Sequence, residues 1–136
     1  MANMTDRTFA ASIMDYILHA SGVAPATTQP LHLRLMSTAG SNTSAGTELS
    51  ATGYIAGGAT MGSPAFAANS SGVSASANLV SWTAGAAWSA VLGVEVWDTA
   101  GTPKRILQGS ITSITLANGN TLSFAAASIT ADASGW

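Results

Sequence analysis

The chain has 136 residues, a formal net charge of -2 and no cysteine, and only 7% of it is charged against roughly 25% in an ordinary soluble domain. That length supports one domain with one core. The basic residues Arg7, Arg34, Lys104 and Arg105 form no run that would neutralise a phosphate backbone, no apolar run reaches the roughly 20 residues of a membrane span, and neither disulfides nor thiolate metal sites are available as staples, so nucleic acid, membrane and thiolate-metal roles are all disfavoured.

Ala, Ser, Thr and Gly fill about half of the chain, yet the high net charge that accompanies disorder is missing, which points to a β-rich fold of small residues. The N-terminal residues lack a basic flank followed by an unbroken apolar stretch, so the chain is expected to be made and kept inside a cell, at least at first.

Thr5 is placed to cap a helix that carries Asp6 in its first turn. Phe9, Ile13 and Ile17, with Met14 and Leu18, recur at helical spacing and form one apolar stripe ending near Ser21 and Gly22. "GVAPATTQP" follows as an extended connector, so residues 1–30 look like a separable helix and linker ahead of a body at 31–136. From Leu31 the period changes to two, with Leu31, Leu33 and Leu35 on one face and His32, Arg34 and Met36 on the other.

Residues 37–50 read as a small-residue loop, and 52–67 as short strands or surface loop. Strands are predicted at 76–82, 91–97, 105–112, 113–116 and 121–129, separated by "DTAGTPK" and "NGN", and the last pair reads as an antiparallel hairpin. The predicted fold is mainly β: an antiparallel β-sandwich or jelly roll with one N-terminal α-helix.

Four blocks carry a family resemblance: Gly46-Thr47-Glu48-Leu49-Ser50-Ala51-Thr52-Gly53-Tyr54; Trp88 followed by Val91 and Gly93-Val94-Glu95-Val96-Trp97-Asp98; Ile106-Leu107-Gln108-Gly109; and Asn118-Gly119-Asn120-Thr121-Leu122-Ser123-Phe124-Ala125-Ala126. Their order and spacing over residues 31–130 resemble a family of small tailed-bacteriophage virion structural proteins, whose members carry labels such as tail fibre, minor tail or head decoration protein. The chain departs from the family pattern at Trp97 and at Ala127, where members commonly have Gly after the final "FAA". The resemblance implies a non-enzymatic particle component and leaves head or tail open.

Among the candidate functional residues, Glu95 lies between Val94 and Val96, and Arg34 lies between Leu33 and Leu35. Both point away from their apolar neighbours, and a structural cross-strand pair between them is expected rather than a catalytic acid. Glu48 is expected to accept backbone N–H bonds in a glycine-rich turn. His19 and His32 lack partners at metal spacing, no Gly-x-Ser-x-Gly elbow is present, and "GYIAGGATMG" lacks the Lys-Ser/Thr ending of a phosphate cradle, so no catalytic, cofactor or metal site is expected.

Trp82 and Trp97 are expected to pack, while Tyr54, Trp88 and Trp136 are candidate interface aromatics, with Trp88 the most open to a glycan. Phe9, Ile13 and Ile17 are candidate docking residues of the helix.

Three classes of function remain: a virion structural subunit, a glycan-binding tail or neck component acting through an exposed Trp, and a small hydrolase. The first is preferred, as a homotrimer that cements a capsid against the major capsid protein or other virion proteins. The reasons are that a charge-poor chain hides apolar surface best in a closed assembly, and that no heptads or repeats mark a fibre shaft. Its place would be the virion, after assembly in the host bacterial cytoplasm.

Overall fold

In a computed structural model that describes residues 6–19 and 26–132, the alternation that starts at Leu31 becomes the central strand β1 (His32–Thr38). Leu33 and Leu35 are fully enclosed, and His32 and Arg34 occupy the opposite, half-buried face. Met36 departs from the expected pattern and is buried; its partner across the ladder is Gly93, where a side chain would press on Ala39 and on the Gly109 carbonyl.

One edge of β1 is covered by two short strands, β2 (Thr47–Glu48) and β3 (Ala59–Thr60). Its other edge pairs antiparallel with β6 (Trp88–Trp97), which in turn pairs with β7 (Arg105–Leu116).

The second layer consists of two antiparallel ribbons. β5 (Val80–Thr83) pairs with β8 (Thr121–Phe124), and β4 (Val73–Ala75) pairs with β9 (Thr130–Asp132). Leu33, Leu35, Val91, Val94 and Val96 from the large sheet meet Val80, Trp82, Leu122 and Ile129 from the ribbons in one core. Trp82 stands edge-on to Phe124 and Tyr54 edge-on to Trp88, the geometry that ring quadrupoles favour. The predicted class is borne out: the fold is mainly β and antiparallel, a sandwich and not a closed barrel, with one short N-terminal helix.

Several boundaries differ from expectation. The stretch 76–82 is not one strand, because β4 ends at Ala75 and β5 begins at Val80. Residues 105–116 form a single strand, and 121–129 divides into β8 and the lead-in to β9. The "NGN" hairpin is not formed. The turn is there, with Gly119 at φ +83°, but the Gly119 N–H donates to the Ala84 carbonyl and the Ala84 N–H to that of Asn120. The turn thus docks on the end of β5 and carries the chain from one layer to the other, so β8 pairs with β5 instead of β7.

Helix α1 spans Arg7–His19. Asp6 supplies the cap that the sequence assigned to Thr5, a residue outside the described ones: its Oδ1 accepts the Phe9 N–H and its carbonyl the Ala10 N–H. The expected helix end at Ser21 and Gly22 also lies outside them.

Candidate functional site

Glu95 and Arg34 are opposite each other in the β1–β6 ladder, as alternation requires, yet they do not form the expected ion pair. Glu95 turns toward β7, where its Oε1 accepts from Arg105 Nη1 at 2.9 Å and from the Gly46 N–H at 2.7 Å, and its Oε2 accepts the Trp97 indole N–H at 2.8 Å. Arg34 turns toward β2 instead. Its Nη1 lies 3.5 Å from Glu48 Oε2, and its guanidinium stacks over the Trp97 ring at 4.5 Å. The ladder fixes which backbones are neighbours, and the positions of the other acid and the other base decide the pairing.

Arg105 is the centre of the polar interior. Besides Glu95, its Nε and Nη2 both donate to Asp6 Oδ2, at 2.9 and 2.6 Å, and Nη1 and Nη2 donate to the carbonyls of Ser44 and Ser41. All five guanidinium N–H groups are therefore used, and Asp6, Glu95 and Arg105 are all buried. Gly40 is required here, since a Cβ at that position would collide with Glu95 Oε1 and come within 2.7 Å of Arg105 Nη1.

Backbone bonds from Asp6 N–H to the Ile106 carbonyl and from Arg7 N–H to that of Asn42 complete the junction. The helix that looked separable is fastened at its first turn to β7 and to the loop before β2.

The third buried acid, Asp98, secures the connector. Its carboxylate accepts N–H groups from Thr28, Ala100 and Lys104, and Thr99 donates to the Thr28 carbonyl. Glu48 accepts the Gly57 N–H and the Tyr54 hydroxyl, both at 2.7 Å, as its glycine-rich surroundings suggested. Tyr54 in turn accepts the Leu35 N–H, and burial, reinforced by the neighbouring Glu48, holds its phenol above the usual tyrosine range. His32 is likewise occupied, with its ring nitrogens facing the Gly57 carbonyl and the Thr60 hydroxyl.

Chemically this arrangement fastens structure. Glu95 is 1% exposed with both oxygens engaged, so a substrate has no access to it. Among the described residues no group of three His, Cys, Asp or Glu is placed to hold a metal, and no helix is long and apolar enough to cross a membrane.

Two of the candidate interface aromatics belong to the interior. Trp88 is 3% exposed, and its indole N–H donates to the Thr52 carbonyl, so the residue chosen as most open to a sugar is part of the core. Tyr54 is half-buried against Trp82 and Trp88. Trp136 lies outside the described residues.

The docking stripe of the helix splits in the same way. Phe9 packs on the protein's own core and Ile13 is half-buried, whereas Ile17 and Leu18 are 65% and 72% exposed, beside exposed Met14 and Tyr16. Asp6, Asp98 and Arg105 were missed by reading the chain strand by strand. The signal for Arg105 was the "DTAGTPK" turn, which returns β7 beside Trp97, two residues along β6 from Glu95.

A family model described as "Podophage GP4 fiber I protein gp80" matches residues 3–132. The chain belongs to that family. The resemblance carried by the blocks around Glu48, Glu95, Gln108 and Phe124 is therefore borne out, and the gp80 fibre family is one of phage structural proteins. No curated protein matches the chain. Two conspicuous features of this gp80-family member, its scarcity of charge and its buried ionic junction, fall within the matched span.

Proposed function

We infer that the protein is a non-enzymatic structural subunit of a phage virion, seated in the fibre apparatus and assembled with copies of itself and other virion proteins. The observation that carries this reading is the fibre-family match across nearly the whole chain. The geometry supports it: the buried acids fasten helix, connector and sheets, while an apolar end of α1 (Met14, Ile17, Leu18) is left exposed for a neighbour. A homotrimer is the closed form proposed, with this helix face as its contact.

A head-cement position is the second reading. It is favoured by the body itself, a short-stranded sandwich with no fibrous repeat among the described residues. The glycan-binding variant has lost its residue, since Trp88 is in the core.

Counting copies in purified virions by quantitative mass spectrometry separates these positions. A few to a few tens of copies supports the fibre apparatus, several hundred places the protein on the capsid lattice, and absence from the particle overturns the structural reading altogether.

A further inference from the structure

The two edges of the large sheet are unlike. The outer edge of β1 is occupied by β2 at one end and β3 at the other. The outer edge of β7 is open: among the described residues only the Asp6 N–H reaches it, at the Ile106 carbonyl, and no further strand pairs beyond it. Twelve residues is long for an unpaired edge, which soluble proteins ordinarily blunt with lysine, proline, very short strands or bulges, and of these β7 has only the irregularities of its ladder with β6. After Arg105 this strand carries no charge and no proline, and the neutral stretch runs on through β8. Its ladder with β6 shifts register at three places, and the widest shift lies between Ser110 and Ile114, whose partners are Gly93 and Val91. Residues 111–113 have no Cα partner on β6, and Thr112 and Ser113 are exposed.

We propose that the open edge of β7 is a strand-addition site whose occupant is β7 of a second copy of this chain, running antiparallel so that the large sheets of two copies become one. Three observations select this occupant. Because β2 and β3 already take the opposite edge, one copy cannot add its β1 side to the β7 of the next, and β7 against β7 is how two large sheets can join. An edge without charge gives an acidic or basic partner nothing to pair with, whereas it matches itself. The sequence around the edge is also self-complementary: in Ser110-Ile111-Thr112-Ser113-Ile114-Thr115, a two-fold axis between Thr112 and Ser113 sets isoleucine opposite isoleucine and hydroxyl opposite hydroxyl.

A small apolar recess lined by Val94, Gly109, Ile111, Phe124 and Ile129 lies along the same strand, which further suits an apolar neighbour. The contact is two-fold, so alone it gives dimers, and it is independent of the helix face. It rests on the reading of the protein as a self-assembling subunit.

The full-length chain tests this directly, because with no native cysteine a single introduced one is a unique label. Ser113→Cys treated with a short bis-maleimide is expected to give a cross-linked dimer several-fold in excess of that from Ser81→Cys, an exposed site on β5. Thr112→Lys with Ser113→Lys sets four lysines face to face and is expected to lower the average mass in sedimentation while leaving the circular dichroism unchanged. Thr112→Lys with Ser113→Glu, which places each lysine opposite a glutamate of the other copy, is expected to restore it. Equal cross-linking at residues 113 and 81, or self-association indifferent to the double lysine variant, overturns the proposal. Virion copy number is read separately, so failure here leaves the structural-subunit reading standing, and absence from virions leaves this contact measurable.

Discussion

Arg105 and Asp6, 99 residues apart in sequence, meet through a forked contact in which Nε and Nη2 of the guanidinium both donate to one carboxylate oxygen, the shorter bond being 2.6 Å. Both side chains are more than nine-tenths buried. Removing one member of such a pair leaves the other charged in a desolvated site, which costs about 3–5 kcal/mol. Arg105→Ala is expected to lose that much in urea denaturation, since it strands Asp6 and Glu95 together. Deleting residues 1–19 removes Asp6 and is expected to destabilise the sheets measurably, whereas a merely tethered helix would leave the urea midpoint unchanged.

Arg34 and Glu95 have different ionic partners and share only Trp97, so the coupling between them is expected to be smaller than that between Arg34 and Glu48. A double-mutant cycle of Arg34→Met with Glu95→Gln should give a small coupling, whereas the cycle of Arg34→Met with Glu48→Gln, a pair only partly exposed, should reach at least the range of about 0.2–1 kcal/mol found for surface ion pairs. A larger coupling to Glu95 than to Glu48 would mean that the pairing runs along the ladder after all.

Tyr54 makes stability sensitive to alkali. Its phenol is shifted upward by burial first and by Glu48 second, so the folded state keeps the proton longer than the unfolded chain does. The stability it contributes is fully present below about pH 10, where the unfolded phenol titrates, and is lost as pH rises through the folded value. The urea midpoint of the native protein is expected to fall above about pH 10. Tyr54→Phe flattens that fall, and at neutral pH it costs about 1 kcal/mol for the hydrogen bonds to Glu48 and Leu35.

Ala127 stands in the left-handed region at φ +63°, in the turn between β8 and β9 where its N–H donates to the Ser76 carbonyl. An L-residue there costs roughly 1–2 kcal/mol, partly offset by the extra freedom glycine has in the unfolded chain. Ala127→Gly is therefore expected to raise stability by about 0.5–1 kcal/mol, and a loss on thermal denaturation would contradict the strain.

The parts legible in the sequence are those set by local periodicity. Leu31, Leu33 and Leu35 announced a buried face at period two, and the same alternation aligned Arg34 with Glu95 correctly. What local pattern does not encode is which distant group a side chain or turn will meet. Asn118-Gly119-Asn120 specified a reversal, but its partner is Ala84, so the expected hairpin became a crossing between layers. Trp88 looked open because it lies outside the predicted strands at 76–82 and 91–97, yet Tyr54 and the Thr52 carbonyl, more than thirty positions away, enclose it. The turn before Arg105 placed it near Trp97, but its role was not legible for the same reason: its ligands come from residues 6, 41, 44 and 95.

The anchoring of α1 also determines where tension travels. A pull applied along the helix does not have to pass through the thin connector at Thr28, because Asp6 delivers it to Arg105 at the end of the longest strand and, through Glu95, to the strand beside it. The force is then resisted by a long antiparallel ladder and not by a single loop, and the helix serves as a handle on the whole sheet.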